Sequence, residues 1–346
     1  MNFVDFKKAF DSMHRPSMWR VLKHYGIPEK IINIIKGMYD ESNCSVRVGH
    51  EQLNIQIGFQ LKQGCGFILS KLEHTDGGIT WKGKEKLKDL DYADDICLLA
   101  ENYEDMQRLT DKLSSDAAKI GLKINCSKSE IMKKFQPYAA PISVDGVNLK
   151  EVERFTYLGC SIASDGDIRN EVNIRIGKAG SAFRNMSKVW NDGIISLNTK
   201  IKLYDSIVTS ILLYGSESWK GLKEVEERFR RFESGCLRKI MKVRWYEHIS
   251  EVEIRRRSGQ RSIIGRIRES RWRWYGHVLR MPENRLPKQT IQWNAEGSRR
   301  RGRPKDTWRR TIQRELRLNN LTEEDVSSLA EDRSAWRSLV ADLWTS

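Results

Sequence analysis

A chain of 346 residues is long enough for two or three domains and for a sizeable hydrophobic core. Its composition is globular, with 39% hydrophobic and 31% charged residues, and its net charge of +15 favours a polyanionic partner over a small metabolite. The six cysteines show no zinc-binding spacing, and there is neither a signal peptide nor a bilayer-spanning apolar run, so we expect an intracellular protein with reduced thiols and no membrane partner.

The beginning of the chain predicts one strand, two helices and a hairpin. Phe3-Val4-Asp5-Phe6 is a short β-prone run that carries an acid near its end. Apolar residues recur at helical spacing from Pro16 to Tyr39, and Gly26-Ile27-Pro28 divides that stretch into two helices. Residues 44–58 alternate loosely between apolar and polar, which indicates a hairpin.

Two adjacent carboxylates, Asp94 and Asp95, lie between short apolar runs and predict a hairpin turn at the edge of a sheet. Neighbouring like charges repel, and a divalent metal is the simplest cation that compensates them. Asp5 can supply a third carboxylate if the two segments meet across the sheet. Three such acids can hold two Mg²⁺ ions that clamp the attacking and leaving oxygens of an in-line displacement. Alone, an Asp-Asp pair is more often a solvated turn.

The middle of the chain alternates helix and strand signals and then becomes helical. Apolar residues from Met106 to Ile120 have helical spacing, and Leu122 to Asn125 then predicts a strand. Phe155-Thr156-Tyr157-Leu158-Gly159 predicts another strand. Three amphipathic helices follow between Glu171 and Trp245.

The positive charge is concentrated near the end of the chain. Between Arg255 and Arg317 there are 20 Lys and Arg against 5 Asp and Glu, so this block carries the whole excess. Its cations alternate with aromatic residues, a pattern typical of nucleic-acid binding. The candidate nucleic-acid-binding residues are Arg271, Trp272, Arg273, Trp274, Arg299, Arg300, Arg301, Arg303 and Lys305. A solvated charged face remains an alternative, and the last five residues also match a nuclear-import signal.

Taken together and in this order, the segments resemble the active-site motifs of the reverse transcriptase of non-LTR (LINE-like) retrotransposons. Asp5 resembles the first motif and Asp94-Asp95 the third. Gln63-Gly64-Cys65 resembles the second motif, Gly121 to Asn125 with Lys128, Ser129 and Glu130 the fourth, and Phe155 to Gly159 the primer-grip strand. Gly276 to Met281, with Arg301 to Lys305 and Trp308, resembles the tail of these proteins.

The resemblance implies an α+β fold with three parts. These are a truncated palm of antiparallel sheet and helices over residues 1–165, an all-α thumb over 166–250, and a basic nucleic-acid-binding region over 251–346. It also implies an RNA template, a DNA primer and deoxynucleoside triphosphates as partners. The basic cluster favours the nucleus over the cytoplasm as the location.

The same resemblance implies roles for individual residues. Asp5, Asp94 and Asp95 are the expected catalytic residues and the ligands of two Mg²⁺ or Mn²⁺ ions, with the backbone carbonyl of Phe6 as a further ligand. Phe10, Gln63, Gly64 and Lys128 are expected to bind the nucleotide, and Tyr157, Leu158 and Gly159 to form the primer grip. Phe10 would exclude a 2′-hydroxyl group. Lys128 would serve the leaving pyrophosphate, although a solvated turn lysine is an equally good interpretation.

The chain departs from the family after the second motif. Only about 29 residues separate Gly64 from Asp94, which is too few for the expected helix and strand. We also expect the fingers and the endonuclease of the family to be missing. Three hypotheses therefore stay open: a polymerase by descent with impaired activity, a nucleic-acid-binding remnant without chemistry, and an unexpressed fragment.

Overall fold

The computed structural model describes residues 1–7, 14–40, 43–48, 51–56, 72, 75–81, 85–92, 95–134, 140–293 and 306–344. The chain forms two compact units, Met1–Gly166 and Asp167–Ser346. The first unit mixes strands and helices and the second is helical, so the α+β fold class is confirmed. The division into three functional domains stays a prediction.

The first unit contains thirteen short strands and three helices in its described part. The strands are β1 (Asn2–Val4), β2 (Asn43–Val48), β3 (Glu51–Gln56), β4 (Ile79–Trp81), β5 (Glu85–Leu87), β6 (Asp89–Tyr92), β7 (Asp95–Leu98), β8 (Glu130–Ile131), β9 (Ser143–Val144), β10 (Val147–Asn148), β11 (Lys150–Glu151), β12 (Arg154–Tyr157) and β13 (Cys160–Ala163). The helices are α1 (Arg15–His24), α2 (Glu29–Asp40) and α3 (Tyr103–Lys119).

A five-stranded sheet in the order β11-β8-β1-β7-β6 is the centre of this unit. Strand β1 pairs antiparallel with both β7 and β8, and only the pair β8–β11 is parallel. In the register between β1 and β7, Phe3 lies opposite Cys97 and Val4 opposite Ile96. The register of β1 and β7 is well determined because their side chains alternate between two covered faces.

One face of the sheet packs against α3 and the other against a hairpin. Val4, Ile96 and Leu98 belong to the same buried cluster as the apolar stripe of α3. On the opposite face, Phe3 stacks on Phe155 of β12 with ring centroids 3.9 Å apart. Aromatic stacking and burial together hold the β12–β13 hairpin against the sheet.

The helix predicted from Met106 to Ile120 and the hairpins predicted over residues 44–58 and around Asp94-Asp95 agree with the structure, whereas the strand predicted from Phe155 to Gly159 ends at Tyr157. Helix α3 begins after Asn102, whose side chain accepts a hydrogen bond from the backbone N–H of Asp105, and it ends before Gly121 in a left-handed conformation. Strands β6 and β7 form the expected hairpin, although Asp94 lies outside the described residues.

The predicted strand from Leu122 to Asn125 is wrong in its extent. The segment makes a single bridge, between Ile124 and Phe6. The physical reason is that its pairing is confined to the few residues that follow β1: Lys7 donates to the carbonyl of Lys123, and Asn125 donates to the carbonyl of Asp5. The hairpin of β4 and β5 was not predicted, because its strands have only three residues each.

The second unit is built from helices in its described part. They are α4 (Arg169–Asn185), α5 (Ser187–Asn191), α6 (Leu197–Leu203), α7 (Ser210–Leu212), α8 (Lys223–Ile240), α9 (Glu251–Ser258), α10 (Ile263–Leu279), α11 (Leu286–Gln292), α12 (Trp308–Leu318), α13 (Glu323–Glu331) and α14 (Arg333–Trp344). A π-helical segment, Tyr204–Thr209, joins α6 to α7. Hydroxyl side chains cap several of them, as Ser250 does for α9 and Thr307 for α12.

Two buried clusters hold the helical unit together. The larger contains the predicted apolar faces of α4 and α8, such as Val172, Phe183 and Phe229. The smaller surrounds Trp272 on α10 and includes Trp336 on α14. The helices in the part of the chain that the structure describes are all too short or too polar to cross a membrane.

Candidate active site

The carboxylate of Asp5 is held where β1 ends. The segment from Asn125 to Ser129 turns beside it: the Asn125 side-chain amide donates to Asp5 Oδ2 over 3.2 Å, and the backbone N–H of Asp5 donates to Ser129 Oγ over 3.1 Å. The backbone N–H of Asn125 donates to the carbonyl of Asp5 over 2.8 Å. These three contacts orient the acid while leaving its side chain 43% exposed.

The register of the sheet brings Asp95 to the same place. Val4 lies opposite Ile96, so one further residue along each strand sets Asp5 opposite Asp95. Alternation along the strands puts both acids on the face that carries Phe3 and Cys97. The meeting of the first-motif acid with the hairpin acid is compatible with the pairing of β1 and β7 and stays a prediction.

Tyr157, a predicted primer-grip residue, ties the neighbouring hairpin to this site. Its hydroxyl lies 3.1 Å from the carbonyl oxygen of Leu90 on β6 and 3.4 Å from that of Asp95 on β7, and donates to them. Burial, helped by the nearby thiol of Cys97 and the carboxylate of Asp95, raises the pKa of Tyr157 to about 12. The hydroxyl therefore keeps its proton and remains a donor at neutral pH.

Leu158 and Gly159 form the turn between β12 and β13. Both residues have positive φ, 49° for Leu158 and 77° for Gly159. That pair of left-handed residues is typical of a type I′ hairpin turn, and it costs a leucine about 1–2 kcal/mol. The three predicted primer-grip residues are thus adjacent on one tight turn, and one of them contacts the acid-bearing hairpin.

Lys128 lies beside the candidate acids, as its position in the fourth motif suggested. Its ammonium nitrogen is 4.0 Å from Asp5 Oδ2, and both side chains are exposed to solvent. An exposed pair at this distance contributes little to stability. The cation is thus not required for folding and is available to a ligand.

Sequence reasoning missed the residues that hold Asp5, although their signal was present. Asn125 and Ser129 both fall inside the Gly121 to Glu130 segment that resembled the fourth motif. Both residues are polar and come after an apolar run. Polar side chains at such positions often form hydrogen bonds with nearby backbone groups. Tyr157 was predicted as a primer-grip residue, but its hydrogen bonds to β6 and β7 could not be predicted from the sequence.

Several predicted residues lie outside the described part of the chain. They are Phe10, Gln63, Gly64, Asp94, Arg299, Arg300, Arg301, Arg303 and Lys305. Their roles stay predictions. Phe6, the proposed carbonyl ligand, is described, and its side chain is buried in the cluster under α3.

The donor set suits a hard divalent cation but is incomplete in the described residues. Mg²⁺ takes carboxylate and carbonyl oxygens, which Asp5 and Asp95 offer on one sheet face. Within the ranges that the structure describes, no three His, Cys, Asp or Glu side chains gather as a metal site. The third predicted acid, Asp94, is outside those ranges.

The structure corrects the nucleic-acid-binding role predicted for Arg271 and Trp272. Arg271 has a 2% exposed side chain, pairs with Glu315 and donates to the carbonyl of Trp219. The indole N–H of Trp272 donates to the other oxygen of Glu315 over 2.9 Å. Both side chains are internal to the helical unit, so neither can reach a phosphate or a base.

Arg273 and Trp274 do reach the surface, because consecutive residues of a helix point about 100° apart. Arg273 pairs with Glu269, one turn earlier on α10. Trp274 is partly exposed and lies against His277, with ring centroids 5.5 Å apart. The alternating Arg-Trp pattern therefore divides into one buried and one exposed pair.

Comparison with known proteins agrees with the site. A family model described as reverse transcriptase (RNA-dependent DNA polymerase) matches residues 1–162. A transposon-derived protein of Caenorhabditis elegans is 26% identical over 268 residues, which are 73% of this chain and 95% of that protein. The retrovirus-related Pol polyprotein of a type-1 retrotransposable element R2 from Popillia japonica is 29% identical over 179 residues, 45% of this chain and 25% of the polyprotein.

The Pol polyprotein of a type-2 R2 element from Drosophila melanogaster is 25% identical over 187 residues, 48% of this chain and 18% of the polyprotein. The chain thus spans a quarter or less of these two polyproteins. The matched residues include Asp5, the strand that begins at Asp95 and the β12–β13 hairpin up to Ile162. Residues 1–162 thus match the reverse transcriptase family, and the chain is similar to a transposon-derived protein and to Pol polyproteins of R2 retrotransposable elements.

Proposed function

We propose that this chain is an RNA-directed DNA polymerase by descent, acting on an RNA template, a DNA primer and deoxynucleoside triphosphates. The observation that carries the proposal is the register of β1 and β7, in which Val4 lies opposite Ile96. Continued by one residue, this register would set Asp5 opposite Asp95 on one face of the sheet. Two acids from segments 90 residues apart in the sequence are difficult to explain by stability, because like charges that face each other repel. A bound cation is the simplest compensation.

In this proposal Asp5, Asp94 and Asp95 hold two Mg²⁺ ions, which Mn²⁺ can replace, and the carbonyl of Phe6 adds a ligand. Bound there, the ions would lower the pKa of the primer 3′-hydroxyl and neutralise charge on the leaving pyrophosphate. The protein's own contribution is to keep the carboxylates oriented. Asn125 supports this role through its hydrogen bond to Asp5 Oδ2.

The remaining proposed roles concern substrate positioning. Tyr157, Leu158 and Gly159 would hold the primer end near Asp95, because the same tyrosine hydroxyl contacts the carbonyl of Asp95. Lys128 would exchange its long contact with Asp5 for the pyrophosphate. The first unit would then be a palm and the helices after it a thumb and a basic tail.

Primer extension on an RNA template tests the proposal with a matched pair of carboxylates. We expect Asp95→Asn to reduce incorporation to background, because the substitution removes the charge that a metal needs. Asp91→Asn is the control: Asp91 is an exposed acid on β6 of the same hairpin, opposite Ile96 rather than Asp5. Equal activity of the two variants, with unchanged folding by circular dichroism, would refute the assignment of Asp95.

A second candidate function is nucleic-acid binding without chemistry. The excess charge between Arg255 and Arg317 favours it, and it needs no complete metal site. Binding to RNA or DNA that weakens steeply with salt, in a protein that incorporates no nucleotide in Mg²⁺ or Mn²⁺, would support this candidate over the polymerase.

We also propose nuclear import through the basic segment from Arg299 to Lys305. A fluorescent fusion in which Arg299, Arg300 and Arg301 are replaced by Ser should lose nuclear accumulation. Unchanged nuclear localisation of that variant would exclude this segment as the signal.

A further inference from the structure

A cationic cleft lies in the helical unit, away from the cluster around Trp272. It is formed where α4 leads into α5 and where α8 ends, and its volume is about 780 Å³. The buried rings of Phe183 and Trp190 form part of its wall. Its polar lining consists of Arg184, Ser187, Asn191, Arg238, Lys239, Lys242 and Arg244.

The cleft contains five cations and no carboxylate among its lining residues. Arg238 is tied to Ser234 and to the carbonyl of Ile249. The other four are exposed, and the structure shows no ion pair between them and any described carboxylate. The first half of α8 differs, because its exposed Arg228 and Arg231 each pair with a glutamate one turn earlier.

Helix dipoles account for the positions of only two of these four cations. Arg184 and Lys239 lie in the last turns of α4 and α8, where a cation is favourable. Lys242 and Arg244 follow the end of α8 and gain little from its dipole. Four cations around one cleft repel one another, so a polyanionic ligand is the natural compensation.

The backbone after α8 is unusual and directs two aromatic side chains outward. Lys242 has φ of 58° and His248 has φ of 48°, both in the left-handed region that glycine normally occupies. Between them, Trp245 and Tyr246 are 83% and 62% exposed. The Glu247 carboxylate accepts a hydrogen bond from the backbone N–H of Arg244, which closes the turn that presents both rings.

A large exposed tryptophan beside a cationic cleft has the chemistry of a single-strand binding site. Phosphates require cations, and unpaired bases stack on aromatic rings. A duplex keeps its bases stacked internally and offers none to Trp245. We propose that the cleft binds the phosphates of single-stranded RNA or DNA while a base stacks on Trp245 or Tyr246. This inference does not depend on polymerase activity.

Fluorescence anisotropy with a labelled oligouridylate, the matching oligothymidylate and a duplex of the same length tests the proposal on the full chain. We expect tighter binding of the single strands than of the duplex. Trp245→Ala should weaken single-strand binding about fivefold to a hundredfold, the range measured for one stacked base. The two single strands distinguish RNA from DNA as the preferred ligand.

Lys242→Gly separates binding from folding. The glycine relieves the left-handed backbone, so the variant should unfold at a higher temperature than the parent. It should nevertheless bind single strands more weakly, and its log–log salt slope should fall by about 1. A lysine with only a structural role would not produce higher stability together with weaker binding.

Two control variants lie outside the cleft. Tyr25→Ala removes an exposed aromatic side chain that follows α1, and Arg231→Ala removes a paired cation from α8. Both should bind single strands as the parent does. The proposal is overturned if these controls weaken binding as much as Trp245→Ala does, or if the duplex binds equally well. It is also overturned if only vesicles of anionic lipid bind in a Trp245-dependent manner.

Discussion

Replacing Arg271 by Met should destabilise the helical unit strongly. The guanidinium group pairs with the 4% exposed Glu315 and donates to the carbonyl of Trp219, 3.1 Å from its Nε. Burial raises the pKa of Glu315 and lowers the pKa of Arg271, so burial disfavours both charges and each depends on the other. Removing one partner of such a pair typically costs about 3–5 kcal/mol.

A double-mutant cycle measures the interaction energy between Arg271 and Glu315. Glu315→Leu alone should cost a similar amount, since it leaves the Arg271 charge buried and the Trp272 indole N–H without its acceptor. The double variant Arg271→Met/Glu315→Leu should lose much less than the sum of the two. Its remaining loss, about 2–4 kcal/mol, comes from the unpaired Trp272 N–H and Trp219 carbonyl.

Denaturant unfolding followed by tryptophan fluorescence measures these losses. Nine of the eleven tryptophans lie in the helical unit, so the signal reports mainly on it. Arg273→Met is the control, because Arg273 is 67% exposed and its pair with Glu269 is worth about 1 kcal/mol or less. If Arg271→Met lowered the free energy of unfolding no more than Arg273→Met, the buried ion pair of Arg271 would be refuted. Arg271 would then again be a candidate for nucleic-acid binding.

Three further predictions concern other residues. Burial raises the pKa of Glu233 to about 7 from 4.5, so the contribution of Glu233 to stability should be greatest below pH 4.5 and should be lost as the pH rises through about 7. Glu233→Gln should remove this loss, which is at most about 3 kcal/mol, and equal pH profiles of parent and variant by thermal unfolding would contradict this. Tyr157→Phe should cost the first unit about 1 kcal/mol in chemical denaturation and reduce nucleotide incorporation; unchanged values of both would exclude the hydroxyl as a support for β6 and β7. Phe10→Ala should raise the ratio of ribonucleotide to deoxynucleotide incorporation, and a constant ratio would remove Phe10 from the sugar pocket.

The sequence was sufficient to predict the two strands beside the candidate acids, β1 and β7. The run from Phe3 to Phe6 and the apolar residues around Asp94-Asp95 have strand patterns that do not depend on distant contacts. The acids also fall at strand ends, so their meeting across a sheet could be inferred. The hydrogen bond from Tyr157 to Leu90 could not, because it joins residues 67 apart through the docking of a separate hairpin.

The Arg271 to Trp274 segment shows why surface and core were confused. Alternating cations and aromatics suggest an interface when the sequence is read one residue at a time. On α10, however, Trp272, Tyr275 and Leu279 have the spacing of an apolar face, and the structure packs all three in the smaller cluster. The partner that makes a buried arginine possible, Glu315, is 44 residues away in the sequence.

The segment from Lys239 to Tyr246 shows the opposite case. Its cations are separated by aliphatic residues and are followed by two aromatic residues, and the segment continues past Ile240, the last residue of α8. Beyond the helix, Met241 and Val243 still pack against the larger cluster, whereas Lys242 and the residues from Arg244 to Tyr246 are exposed. The left-handed conformation at Lys242 could not be predicted from the sequence, because lysine rarely adopts it.

Template-directed incorporation tests the central claim most directly. Purified protein would be given poly(rA) with an oligo(dT) primer and dTTP, in Mg²⁺ and in Mn²⁺, beside the double variant Asp94→Asn/Asp95→Asn. The account predicts thymidylate incorporation by the parent chain that the double variant loses while it still folds and binds RNA. Incorporation that persists in the double variant, or its absence from well-folded parent protein that binds RNA, would contradict a polymerase centre built on these acids.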